Sequence, residues 1–220
     1  MVPLNTKEVL ARLQAMQEVR EPKTRLHLLG ITRLESLPTF VQLGAVSFDS
    51  TAPLRHAFKD ATDNYYTLDR QFTAIRIPQV EGNPKLQKAI SSGRVSQERA
   101  RKLERAALDA MRRFDADQSS VAETLQHLTE YEELCSPGGE YVEAYRQTLT
   151  ARPWKDCACD VCRGLGHHVI LFRGAERNRR RGFHNTWMFY RRLRRELGLS
   201  NQNTTAPTRA RTRRAEGARP

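Results

Sequence analysis

The chain has 220 residues, 39% of them apolar, with 37 Lys and Arg against 25 Asp and Glu, a net charge of +12 and a pI near 10.1. That length supports one or two cored domains. No run approaches the roughly 20 apolar residues of a membrane span, and no basic segment followed by an apolar run marks a secretory signal, so the basic excess points first to nucleic acid.

Asn5 with Glu8 reads as an N-cap with a carboxylate three residues on. Val9, Leu10, Leu13, Met16 and Val19 then recur at helical spacing until Pro22. Residues 26–29, closed by Gly30, read as a buried strand. Thr32 and Glu35 open a second helix with Leu34, Leu37, Phe40 and Val41 on one face, ended by Gly44. Residues 45–48 form a second strand that ends on Asp49. Helix, strand, helix, strand is the alternation that builds a parallel sheet with outer helices. Residues 51–85, rich in aromatics and prolines, read as a long functional loop. Helices over about 96–115, 120–135 and 139–150 read as an inserted helical unit. A cysteine loop, an apolar run over 168–172, a basic turn over 173–181 and a helix from about 184 to 197 follow. Residues 201–220 lack apolar periodicity and are expected to be disordered.

Cys157, Cys159 and Cys162 fall within six residues, and thiolate sulfur is a preferred ligand of tetrahedral zinc. The alternative is a disulfide or a set of structural thiols, but three cysteines this close cannot all pair inside one small loop. A nitrogen would complete the site, from His184 or from the nearer His167 and His168. A closed site of four ligands is structural, and such a cluster suits a reducing cytoplasm. Cys135 is left as an inert thiol at a helix end. Arg173, Arg177, Arg179, Arg180 and Arg181, followed by Arg191, Arg192, Arg194 and Arg195, concentrate cations beside the cysteines. They are expected to meet phosphates, with an affinity that falls steeply with salt. Trp187, Phe189 and Tyr190 read as core.

Asp49 stands where a parallel strand hands over to its loop, the end at which (β/α)8 barrels carry catalytic residues. Phe48-Asp49-Ser50-Thr51-Ala52-Pro53-Leu54-Arg55-His56-Ala57 resembles the nucleophile segment of the tRNA-guanine transglycosylases: Phe-Asp, three residues, Pro, one residue, Arg, one residue, Ala. Leu28-Leu29-Gly30 resembles that family's penultimate strand and turn. Cys157, Cys159 and Cys162 are spaced like its zinc cysteines, and His184-Asn185 resembles the pair that opens its final barrel helix.

The resemblance covers residues 1–60 and 153–198 and is weak over 61–150. It implies an α/β fold, the C-terminal part of a TIM barrel. The last two βα units would lie in 1–60, a loop and helical insertion in 61–152, a zinc-binding subdomain with the final barrel helix in 153–198, and a disordered basic tail in 199–220. It implies Asp49 as the nucleophile of a base exchange in which a 7-deazaguanine replaces guanine. It makes His184 the fourth zinc ligand, and it places Arg55, Lys59, Arg177, Arg179, Arg180 and Arg181 on nucleic acid.

Two departures bear on the substrate. Where the tRNA enzymes continue Ala-Arg-x-Gly, this chain has Ala57-Phe58-Lys59-Asp60, which is closer to the family's DNA-modifying branch. DNA is therefore the preferred polynucleotide, with tRNA the alternative. The family's second catalytic aspartate, its purine-reading aspartate and its Gly-Gly turn have no counterpart here. The chain is thus expected to be inactive alone and to need an N-terminal half encoded separately. The competing expectation is a non-catalytic, zinc-stabilised module that binds nucleic acid.

Overall fold

The computed structural model describes residues 5–31, 33–136 and 138–199; the expected cap at Thr32 and the tail beyond 199 lie outside them. The fold is mixed α/β and mostly helical.

Helix α1 (Thr6–Val19) starts at a capping box in which the Asn5 side chain accepts from the Glu8 amide and Glu8 accepts in return from that of Asn5. It buries Val9 and Leu13. Strands β1 (Leu26–Leu28) and β2 (Ala45–Phe48) pair in parallel, with Leu26 opposite Ala45 and Leu28 opposite Phe48. Between them a 3-10 turn (Leu34–Ser36) leads into α2 (Leu37–Gln42), shorter than the periodicity suggests. Leu26, Leu28, Leu37, Phe40 and Ala45 join Val9 and Leu13 in one small core. Each fully buried Leu or Phe contributes roughly 1.5–3 kcal/mol. Among the described residues only one face of this sheet is covered. The opposite face carries His27 and Ser47, and Val46, unpaired at the irregularity between them and Leu26–Ala45, is 59% exposed.

The stretch expected to be a long loop is instead largely ordered into short elements. Helix α3 (Ala52–Lys59) begins with Pro53 in its first turn, where the missing N–H is harmless. Strands β3 (Tyr65–Tyr66) and β4 (Gln71–Phe72) pair antiparallel, and β5 (Ile75–Arg76) pairs in parallel with β6 (Leu171–Phe172). Helix α4 (Pro84–Ser91) is capped by Asn83, α5 (Gln97–Asp115) by Ser96, and α6 (Val121–Cys135) by a Ser120–Glu123 capping box. Helices α7 (Val142–Ala151) and α8 (Asp160–Leu165) follow. These helices do not form a separate body. Met111, Phe114, Leu125 and Tyr145 share one core with Tyr65, Ile75, the three clustered cysteines and Met188.

The last helix corrects the boundaries read from sequence. Helix α9 runs over Gly174–Glu196, so residues 174–181 are its first two turns and not a basic loop. Arginine is a good helix former, and the Glu176–Arg180 pair at i, i+4 supports this turn. The helix spans both cores: Met188 lies in the larger, while Leu193 and Leu197 pack against the smaller. Its buried stripe is mostly polar: Asn178, Arg181, His184, Asn185 and Met188, with Gly182 beside it.

Candidate active-site edge and metal centre

Asp49 follows the C-terminal end of β2, and its amide donates to the Leu28 carbonyl at 3.3 Å, extending the parallel pairing by one residue. Its side chain is 52% exposed. One carboxylate oxygen accepts from the Gly30 amide, just past the end of β1. Gly30 has φ +69°, a left-handed turn that glycine adopts without strain. The other oxygen lies 3.8 Å from His27 Nε2, and His27 Nδ1 is 2.9 Å from Ser47 Oγ. His27, Ser47 and Asp49 thus gather on the uncovered side of the sheet, at the strand ends. His27 was not foreseen, because an isolated histidine in a three-residue strand carries no periodic signal.

Cys157, Cys159, Cys162 and His184 are all buried, and their donor atoms lie within 4.8 Å of one another. His184 Nδ1 is 3.6, 3.4 and 3.3 Å from the three sulfurs in that order. A tetrahedral zinc with ordinary bond lengths sets N···S edges of roughly 3.6 Å, so the donor set fits that ion. Nε2–H donates to the Tyr66 carbonyl at 2.7 Å, which leaves Nδ1 as the ligating nitrogen. Tyr65 stacks on the imidazole at 4.1 Å between ring centres, and its hydroxyl lies 3.2 Å from Cys162 Sγ. Hydrogen bonds among the sulfurs, from Cys157 first, pull the Cys159 thiol far down and push Cys162 far up. A divalent cation removes that conflict by ionising all three. The nearer histidines do not join. His167 pairs with Asp115 at 3.1 Å, and the exposed His168 leans on His167.

Metal centre and Asp49 segment are joined through α9. The fully buried Asn185, next to His184, accepts from the Tyr66 amide at 3.0 Å and donates to the carbonyls of Asn64 at 3.0 Å and Pro53 at 3.2 Å. Pro53 begins the helix that follows Asp49. One turn earlier, a Cβ added at Gly182 would sit 2.4 Å from Leu54 Cδ1 and 3.4 Å from the Leu54 carbonyl oxygen, so α3 and α9 cross closely and any larger residue there must displace the Leu54 side chain.

The basic residues divide into two kinds. Arg55 and Lys59 on α3, and Arg179 and Arg180 on α9, are exposed; Arg177 is half-buried. Arg181 corrects the expectation of a phosphate contact. It is 0% exposed and donates to the carbonyls of Leu171 at 2.9 Å and Ala57 at 2.6 Å and to Asn178 Oδ1 at 2.8 Å. Burial pulls its guanidinium below the usual range, and Phe172 lies under it at 5.0 Å. Arg173 pairs with the buried Glu104, Arg192 donates to the Thr67 and Arg70 carbonyls, and Arg195 pairs with Asp69. Trp187 and Phe189 pack on the core as expected, but Tyr190 is half exposed. Cys135 ends α6, and burial pushes its thiol up. Among the described residues no helix is long and apolar enough to cross a membrane.

No protein-family model matches this chain. Over 207 residues, 92% of its length, it is 45% identical to the DNA-guanine transglycosylase of Salmonella montevideo, and it spans about half the length of that protein, 50%. With that identity and the site geometry together, the chain is similar to the DNA-modifying branch of the tRNA-guanine transglycosylase superfamily, over the C-terminal portion of such a protein.

Proposed function

We propose that this chain is the C-terminal part of a guanine transglycosylase that acts on DNA, with Asp49 as its nucleophile. The observation that carries the reading is the setting of Asp49: half-exposed, at the C-terminal end of a parallel strand, held by the Gly30 amide. That is where barrel enzymes place their chemistry. In this reading β1, β2 and their helices within 1–60 are the last βα units of a TIM barrel. Residues 61–152 are an insertion, 153–198 the zinc-binding subdomain and final barrel helix, and 199–220 a basic tail.

The reaction is retaining glycosyl transfer. The Asp49 carboxylate bonds to C1′ of a deoxyguanosine while the C1′–N9 bond breaks and its electron pair leaves with guanine, which takes up a proton. A 7-deazaguanine then gives up its N9 proton, its N9 bonds to C1′, and Asp49 is released. The target nucleotide must leave its stack first. Zinc held by Cys157, Cys159, Cys162 and His184 is structural: it fixes α9 and, through Asn185, the start of α3. Arg55, Lys59, Arg177, Arg179 and Arg180 face the polynucleotide; Arg181 is withdrawn from that set. DNA is preferred over tRNA because the relative is named for DNA and because Ala57-Phe58-Lys59-Asp60 departs from the tRNA pattern.

The uncovered face of the β1–β2 sheet supports a need for further strands, which the other half of such a protein would supply. The test incubates the chain with the separately expressed N-terminal half of the Salmonella protein, a 7-deazaguanine base and either DNA or tRNA. Deazaguanine nucleosides are then measured by mass spectrometry. Incorporation into DNA that requires both halves is expected. Salt-sensitive DNA binding without incorporation into either polymer would leave the zinc-stabilised binding module as the better reading.

A further inference from the structure

A cavity of about 220 Å3 lies between β5–β6 and the helices α4, α6 and α7, and none of its lining residues belongs to the metal centre or the Asp49 edge. Glu132, on α6, lines it and is 5% exposed, yet among the described residues neither carboxylate oxygen meets a hydrogen-bond donor. Burial holds this carboxyl above the usual range; the Tyr141 amide partly offsets that but closes no hydrogen bond.

Arg76 lines the same cavity. Its Nη2 donates to the carbonyls of Asp60 at 3.4 Å and Ala61 at 3.3 Å, while its buried Nε has no acceptor among the described residues. Its guanidinium lies over the rings of Phe172 at 4.3 Å and Tyr141 at 5.2 Å. Leaving each such buried group unpaired costs about 1–3 kcal/mol. Two acceptors and one donor left unpaired around one cavity are a set of demands that a ligand meets.

We propose that this cavity binds a guanine-type base, whose N1–H and 2-amino group donate to Glu132 and whose 6-carbonyl accepts from Arg76 Nε. The volume is below the roughly 300–1,000 Å3 of drug-sized sites, which suits a single heterocycle. Tyr141, Tyr145 and Phe172 supply aromatic surface, and Lys85 supplies a cation for an adjoining phosphate. Adenine is rejected because it turns an unprotonated N1 toward the carboxylate, leaving both partners unpaired. The choice of guanine rests on the transglycosylase reading; the pattern of unpaired groups does not. Binding here is measured without turnover, so this idea and the base exchange at Asp49 fail separately.

The test is saturation-transfer NMR on the full chain with 9-methylguanine and 9-methyladenine, repeated with Glu132→Gln. Wild type is expected to bind the guanine compound at least about tenfold more tightly than the adenine one, and Glu132→Gln to lose that preference. The variant should fold, since it removes a carboxylate with no protein partner, and its melting temperature should equal or exceed that of wild type. Tighter binding of a single-stranded oligodeoxynucleotide with one guanine than of 9-methylguanine assigns the pocket to a base swung out of a strand. Equal binding assigns it to the released base. No binding of 9-methylguanine to wild type, equal binding of both compounds, or binding unchanged in Glu132→Gln overturns the proposal.

Discussion

Around the metal centre, the buried polar groups of α9 have named partners: His184 the Tyr66 carbonyl, Asn185 three backbone groups, Arg181 two carbonyls and an amide oxygen, with its Nε alone unpaired among its donors in the described residues. The β1–β2 sheet is the opposite case. Among the described residues it buries Leu26, Leu28 and Ala45 on one side and leaves His27, Ser47 and Asp49 uncovered on the other. The first region is a closed scaffold. The second is an unfinished surface, and the candidate chemistry lies there.

Breaking the scaffold should have the largest effect. Chelation of the metal, or Cys162→Ser, is expected to abolish cooperative unfolding of the larger core, since structural zinc contributes on the order of 10 kcal/mol in small domains. Circular dichroism melts with metal analysis check this; a chelated protein with an unchanged melt would contradict it. Asn185→Ala deserts three buried backbone groups at once, and a loss of about 2–4 kcal/mol is expected in urea unfolding. Gly182→Ala drives a methyl into Leu54 and should cost about 1–3 kcal/mol, partly recovered by adding Leu54→Ala.

A smaller effect should follow pH. Burial raises the Asp115 carboxyl, but hydrogen bonds from Trp154, Lys155 and His167 outweigh it and leave the group below its usual value. A carboxyl depressed in the folded state stabilises above its unfolded pKa of about 4 and loses that contribution as pH falls further. The urea midpoint should therefore drop below pH 4 by more in wild type than in Asp115→Asn, a difference under about 1 kcal/mol for a partly exposed group. At the open edge, Asp49→Asn should change stability by no more than about 0.5 kcal/mol.

How much of this was legible in the sequence follows from where each signal is stored. The capped helices α1, α5 and α6 were readable because Asn5, Ser96 and Ser120 act on their own next turn. The parallel strands were readable from short apolar runs and the three metal-binding cysteines from their spacing, while His184 was singled out only by the family resemblance. Helix α3 was missed: it has no side-chain cap, and its support is the close crossing at Gly182, a tertiary fact. The first half of α9 was missed for a related reason. Its buried side chains, Asn178 and Arg181, keep helical spacing but are polar, so a search for apolar periodicity passes over them. The same blindness placed Arg181 on nucleic acid, because a guanidinium held by carbonyls looks in sequence like one that waits for phosphate.

Intact-mass analysis of a trapped complex tests the assignment of Asp49 most directly. The chain, its complementary half and guanine-containing single-stranded DNA are quenched during turnover. An adduct equal to protein plus oligonucleotide minus guanine, mapped to the peptide with Asp49 and absent from Asp49→Asn, is expected. An adduct that survives Asp49→Asn, or maps to another carboxylate, would contradict the central assignment.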